Sequence, residues 1–176
     1  TRNEQADIRA TSMKGFVMIQ LYWSPRSRSF SAIWLLEETG LPYERVLTDI
    51  STGAQKTPEY LAINPMGKVP ALKDGNAALG EAAAICAYIA DRYPETGLAP
   101  AATDPLRARY LQWLFFSPSC IEPALIQLFT KLEVPASTAA WGSADQTFDV
   151  LDAALQKGPW ILGEKFCAAD IMLGSG

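Results

Sequence analysis

The chain has 176 residues, no histidine, and nineteen acidic against fifteen basic residues, a formal net charge of -4. Apolar residues make up 49% and charged ones 19%, the balance of one folded domain or two small ones. The missing histidine excludes Ser-His-Asp and Cys-His catalysis, imidazole bases and His-held metals.

Residues 1–15 open with a polar stretch that has no apolar core, and they are expected to form a loose arm or an expression remnant, with Met13 as the expected start. Residues 15–23 (GFVMIQLYW) are aromatic and β-branched and predict a buried strand, broken by Ser24-Pro25. From residue 27 to 39 the pattern turns helical, with Gly40 as its stop and Pro42 beyond. Residues 43–50 alternate and predict a second strand. Residues 51–64 are polar, with a weak helix near 58–63. Residues 69–73 and 77–79 predict two strands joined by the Asp74-Gly75 turn. Residues 81–93 predict a helix.

A crossover should pair the first two strands in parallel, and the hairpin pair must be antiparallel. The expected fold is an α/β domain over 16–93 with a four-stranded mixed sheet. Residues 94–105 (PETGLAPAATDP) predict a linker. From 106 to 176 no strand is expected, and the pattern is all-helical.

The acidic balance argues against nucleic acid as a partner, because phosphate binding needs clustered Lys and Arg. The longest apolar runs fall far short of the ~20 residues that span a bilayer. Cys86, Cys120 and Cys167 form no CxxC pair and no zinc pattern. This use of cysteine predicts a reducing, cytoplasmic setting and no metal.

Four segments carry chemistry. They are 22–29 (YWSPRSRS), 64–72 (NPMGKVPAL), 80–85 (GEAAAI) and 162–171 (LGEKFCAADI). Together they resemble the cytosolic glutathione S-transferase family, over about residues 16 to 173. The resemblance implies a thioredoxin-like first domain that binds glutathione as co-substrate. It implies a cis bond before Pro70, with Val69 pairing its backbone to the cysteinyl part of glutathione. It places Glu81 at the γ-glutamyl amino group and the helix N-terminus at the γ-glutamyl carboxylate. Ala82 departs from the family, which has Ser or Thr there, so one side-chain hydrogen bond is absent and binding is expected to be weaker.

In the family a Ser, Tyr or Cys near the end of the first strand stabilises the thiolate. Counting back from Gly40 without gaps puts the usual position on Arg26, and a shift of one residue puts it on Ser27. Ser27 is the first candidate, and its hydroxyl is also a possible helix N-cap. Ser24 is the second candidate and Arg26, as a cationic partner, the third. Ser29 competes with them for the thiol contact, and Tyr22 lies behind. Ser24-Pro25-Arg26-Ser27 also looks like a redox CPxC site with both cysteines replaced by serine, which rules out dithiol exchange there.

Tyr110 and Trp113, on the first helix of the second domain with Phe115 and Phe116, are the candidates for an apolar co-substrate wall. Asp170 belongs to a helix-capping box whose usual hydroxyl is replaced by Cys167, so the cap is expected to be poorer. All three cysteines are expected to be structural. The family continues for several helices beyond this point, so the helical domain is expected to be incomplete.

The expected activity is conjugation of glutathione to small apolar electrophiles by a homodimer. A glutathione-dependent peroxidase, isomerase or reductase on the same scaffold, or a non-enzymatic binding module, are the alternatives.

Overall fold

A computed structural model describes residues 18–175. The expected arm at 1–15 lies outside the described residues. In chain order the larger elements are β1 (Ile19–Trp23), α1 (Ser29–Thr39), β2 (Tyr43–Leu47), a one-turn α2 (Pro58–Leu61), β3 (Ala71–Asp74), β4 (Ala77–Gly80) and α3 (Ala82–Arg92). The helical half follows with α4 (Arg107–Phe116), α5 (Glu122–Thr130), α6 (Ala144–Leu155) and α7 (Ala168–Gly174). A single π-helical turn, Ser117–Ile121, joins α4 to α5.

The sheet is four-stranded and mixed, in the order β2-β1-β3-β4. β1 and β2 are parallel, while β1–β3 and β3–β4 are antiparallel. This is the expected fold class. Leu21 and Leu72, directly paired across β1 and β3, are fully buried. They anchor one contiguous core that runs through Leu35 and Leu36 of α1, Ile85 and Ile89 of α3, and Tyr110, Leu114, Ile171 and Met172 of the helical half. Burying a large aliphatic side chain contributes about 1.5–3 kcal/mol.

Residues 94–105 are tied down rather than free. Pro94–Thr96 form a 3₁₀ turn, Leu98 is buried, and its carbonyl accepts the Ala168 N–H at 2.8 Å. That bond begins α7.

The cap of α7 is well satisfied in spite of Cys167. The Asp170 carboxylate accepts the Cys167 N–H at 2.9 Å, the Ile161 N–H at 2.8 Å and the Cys167 thiol at 3.2 Å. Burial, with the Asp170 carboxylate beside it, pushes the Cys167 thiol up to about 12. Burial alone pushes Cys86 up to about 12. Neither thiol ionises near neutral pH, which fits the structural role expected for both. Cys120 is only half-buried.

Candidate active site

A cleft of about 520 Å³ opens where the sheet half meets the helical half. One wall is the segment from Asn64 to Pro70. Asn64 is buried, donates from Nδ2 to the Lys68 carbonyl at 2.9 Å and accepts the Met66 N–H. The Tyr60 hydroxyl donates to the same carbonyl at 2.6 Å. With the Lys68 carbonyl clamped from one side, the planar trans peptide turns the Val69 N–H to the other. The Val69–Pro70 bond is cis. No hydrogen bond among the described residues engages the Val69 N–H or C=O. Val69 therefore offers one donor and one acceptor to an extended peptide in the cleft. Gly80 allows this packing, because a Cβ there would lie 2.6 Å from the Asn64 amide.

The second wall is the start of α3. Glu81 adopts φ 64, ψ 117, a conformation rare outside glycine. Such backbone strain costs on the order of 1–3 kcal/mol and concentrates at functional sites. Here it bends the chain from β4 into α3 and leaves the Glu81 side chain exposed at the cleft. The first intrahelical bond runs from Ile85 N–H to the Glu81 carbonyl. The N–H groups of Ala82, Ala83 and Ala84, all on the cleft, are thus the free donors of a helix N-terminus, an anion-binding arrangement.

The helical half closes the cleft with Phe115, Pro118, Glu122 and Met172. Phe115 is 44% exposed. Opposite it, the β1–α1 loop contributes Arg28, whose guanidinium pairs with Glu122 at 2.5 Å and donates to the Ser175 carbonyl at 3.3 Å. Both partners are partly solvated, so the pair contributes ~0.2–1 kcal/mol.

A larger hollow of about 780 Å³ lies between α5 and α6, against Gln127, Lys131 and Asp145. It is more open to solvent, and the α6 N-terminus that lines it is already capped by the Ser143 side chain, which accepts the Gln146 N–H, so the interdomain cleft is the better candidate. Among the described residues, no group of His, Cys, Asp or Glu could hold a metal ion.

Residues 18–91 match the N-terminal domain of glutathione S-transferases. Over 166 residues the chain is 34% identical to glutathione S-transferase 3 of Zea mays, covering 86% of this chain and 73% of the relative. The chain belongs to the glutathione S-transferase family. It is also 32% identical over 167 residues to the disulfide-bond oxidoreductase YfcG of Escherichia coli (strain K12), covering 88% of this chain and 76% of that one. A solved glutathione transferase family member from Pseudomonas fluorescens, with two glutathione bound, superposes with a TM-score of 0.73 at 32% identity, over 88% of this chain and 73% of that one.

In this glutathione S-transferase family member, Val69, Pro70, Glu81 and Ala82 all line the cleft. The serine loop is arranged differently from the expectation. The Ser27 hydroxyl lies 2.7 Å from the Ser24 carbonyl, which can only accept, so the Ser27 proton is committed there. Ser29 Oγ, 2.8 Å away, is a second acceptor within the loop for the Ser27 hydroxyl, and it accepts the Ser24 N–H at 3.3 Å. Ser27 Oγ also takes the Ser29 N–H at 3.2 Å, so it caps the start of α1. Ser24 is buried, Arg26 is exposed at φ 54, and neither they nor Ser27 line the cleft.

The placement of Tyr110 and Trp113 is a correction. Tyr110 is fully buried and Trp113 is 5% exposed. Their face of α4 packs on α3 and α7, and Trp113 meets Phe116 edge-on at 5.0 Å. Phe115 points the other way because each helical residue turns about 100°. Sequence reasoning missed Arg28, Pro118 and Glu122 as well. Pro118 inside a helical pattern was the available signal, because it marks the π turn that begins one residue before it.

The Tyr110 hydroxyl is buried with no partner, and burial pushes its ionisation well above the usual tyrosine value. Tyr110→Phe removes an unsatisfied polar atom and is expected to raise stability by about 1 kcal/mol. A urea unfolding midpoint checks this.

Proposed function

We propose that the protein conjugates the glutathione thiolate to small apolar electrophiles. The observation that carries this reading is the convergence on one cleft of three features: the free Val69 backbone edge, the free N–H groups of α3, and an apolar wall of Phe115, Pro118 and Met172. The cysteinyl part of glutathione pairs with Val69. Its γ-glutamyl carboxylate meets the α3 N-terminus, and its amino group meets Glu81. The electrophile lies against Phe115. The thiolate sulfur attacks the electrophilic carbon, a C–S bond forms, and the leaving group departs with its electron pair. Proximity and thiolate stabilisation supply the catalysis.

Residues 16–93 form the glutathione-binding domain in this reading, 94–105 the connection, and 106–176 the co-substrate side. A cytoplasmic homodimer is the proposed setting. Among the described residues, no helix is long and apolar enough to cross a membrane.

Retention on a glutathione-affinity column with turnover of chlorodinitrobenzene is the test, and a folded protein that does neither overturns the reading. A second reading, glutathione-dependent disulfide reduction, is favoured by the similarity to the Escherichia coli oxidoreductase. With Ser24 and Ser27 in place of cysteines, both electrons must come from two glutathione thiols, which end as glutathione disulfide. Turnover of a mixed disulfide in excess of chlorodinitrobenzene would select it.

Ala82→Ser restores a hydroxyl at the carboxylate site. It is expected to tighten glutathione about fivefold, the equivalent of ~1 kcal/mol. Calorimetric titration checks it.

A further inference from the structure

We propose that Arg28 is the residue that contacts the glutathione thiolate, and that Glu122 holds it across the cleft until the sulfur arrives. This rests on glutathione binding in the interdomain cleft as described above. Three observations lead to it.

First, the hydroxyls that would ordinarily serve are occupied or turned away. The Ser27 proton is held within the loop, where the Ser24 carbonyl and Ser29 Oγ are its acceptors, and Ser29 is fully buried. Second, Arg28 is the one residue of the β1–α1 loop that lines the cleft, together with Val69, where the cysteinyl backbone would pair. Third, Arg28 is held only by a partly solvated carboxylate and one longer bond to the Ser175 carbonyl. That hold is weak enough for a thiolate to compete with it. A guanidinium keeps its charge and carries five donors, so it can bind a sulfur anion while retaining part of its contact with Glu122.

The charged groups facing this cleft are few. Arg28 comes from the β1–α1 loop, Lys68 from the segment before Val69, Glu81 from the start of α3 and Glu122 from α5; α4 and α7 present Phe115 and Met172. Lys68 is exposed, whereas Arg28 is partly buried against the helical half, where its field is screened less. Glu122 opposes thiolate formation, both by its own charge and by occupying Arg28. The π turn sets Glu122 there, since it immediately precedes the first residue of α5.

The step is a proton loss followed by substitution. The glutathione thiol gives its proton to solvent, and Arg28 stabilises the resulting thiolate. The sulfur then forms the C–S bond as the leaving group takes its electron pair.

The test is the ultraviolet thiolate absorbance of bound glutathione, titrated with pH in wild type, Arg28→Gln, Glu122→Gln, Lys68→Gln and Ser27→Ala. Arg28→Gln is expected to move the midpoint up by about one unit or more, towards an ordinary thiol near 8.5. Conjugation at about pH 6.5 then falls by up to ~10-fold for each unit of that rise and recovers as the pH rises. Glu122→Gln is expected to move the midpoint down, the opposite sign to Arg28→Gln. A merely structural ion pair would make both variants fail alike, without moving the midpoint.

An unmoved midpoint in Arg28→Gln overturns the proposal, including the case where only glutathione affinity falls. So does a midpoint that moves in Lys68→Gln or Ser27→Ala and not in Arg28→Gln. If wild type binds glutathione and shows a depressed midpoint without conjugating chlorodinitrobenzene, the function reading fails while Arg28 is still tested. If glutathione does not bind, both fall.

Discussion

Replacing Glu81 by Gln is expected to weaken glutathione binding by roughly 10- to 100-fold. A hydrogen bond to a charged partner contributes about 1.5–3 kcal/mol, and Glu81 is the carboxylate placed at the cleft beside the free N–H groups of α3. The loss should appear without a loss of stability, because the side chain is exposed and caps nothing. Glu81→Gly sharpens the point. Glycine adopts positive φ readily, so this variant should bind as poorly as Glu81→Gln yet unfold at a temperature no lower than wild type. Calorimetric titration and thermal unfolding on the same preparations check both halves. A Glu81→Gly protein that unfolds early would show that the side chain is structural.

Asp170→Ala is expected to have the largest effect on stability, a loss of about 3 kcal/mol or more. Its carboxylate serves two buried backbone donors, Ile161 N–H and Cys167 N–H, as well as the Cys167 thiol. Each stranded N–H costs ~1–3 kcal/mol. Asp170→Asn keeps the shape and one acceptor, so its loss should be smaller. Urea unfolding midpoints compare the two. The damage should also reach the cleft, since Met172 of α7 lines it and α7 packs along α4.

Local patterns were readable in the sequence and distant pairings were not. The parallel β1–β2 pair and the β3–β4 hairpin follow from a crossover helix and an Asp-Gly turn, both written in adjacent residues. Element ends were set by side-chain hydrogen bonds that periodicity does not register. β2 stops at Leu47 rather than at residue 50 because Asp49 captures the Ser51 N–H and hydroxyl at 2.9 and 2.6 Å, turning the chain. α1 begins at Ser29 because Ser27 spends its oxygen on the Ser29 N–H.

The binding edge was legible for the same local reason. Asn64, Val69 and Pro70 act within a few residues of each other, and Glu81 sits where β4 meets α3. The second wall was not legible. Whether Tyr110 or Phe115 faces the cleft depends on which side of α4 meets α3 and α7. The Arg28–Glu122 pair joins residues 94 positions apart, from Arg28 to Glu122, and no spacing rule connects them. Ser27 shows the limit most clearly. The sequence identified a donor in the right loop, but only the fold shows that its proton is already taken and that it does not line the cleft.

The most direct measurement is a crystal structure of the protein with glutathione bound. The cysteinyl backbone is expected to pair with Val69, the γ-glutamyl carboxylate to meet the N–H groups of Ala82 and Ala83, and the amino group to meet Glu81. A tripeptide seated in the hollow between α5 and α6, or in the interdomain cleft without the Val69 pairing, would contradict it.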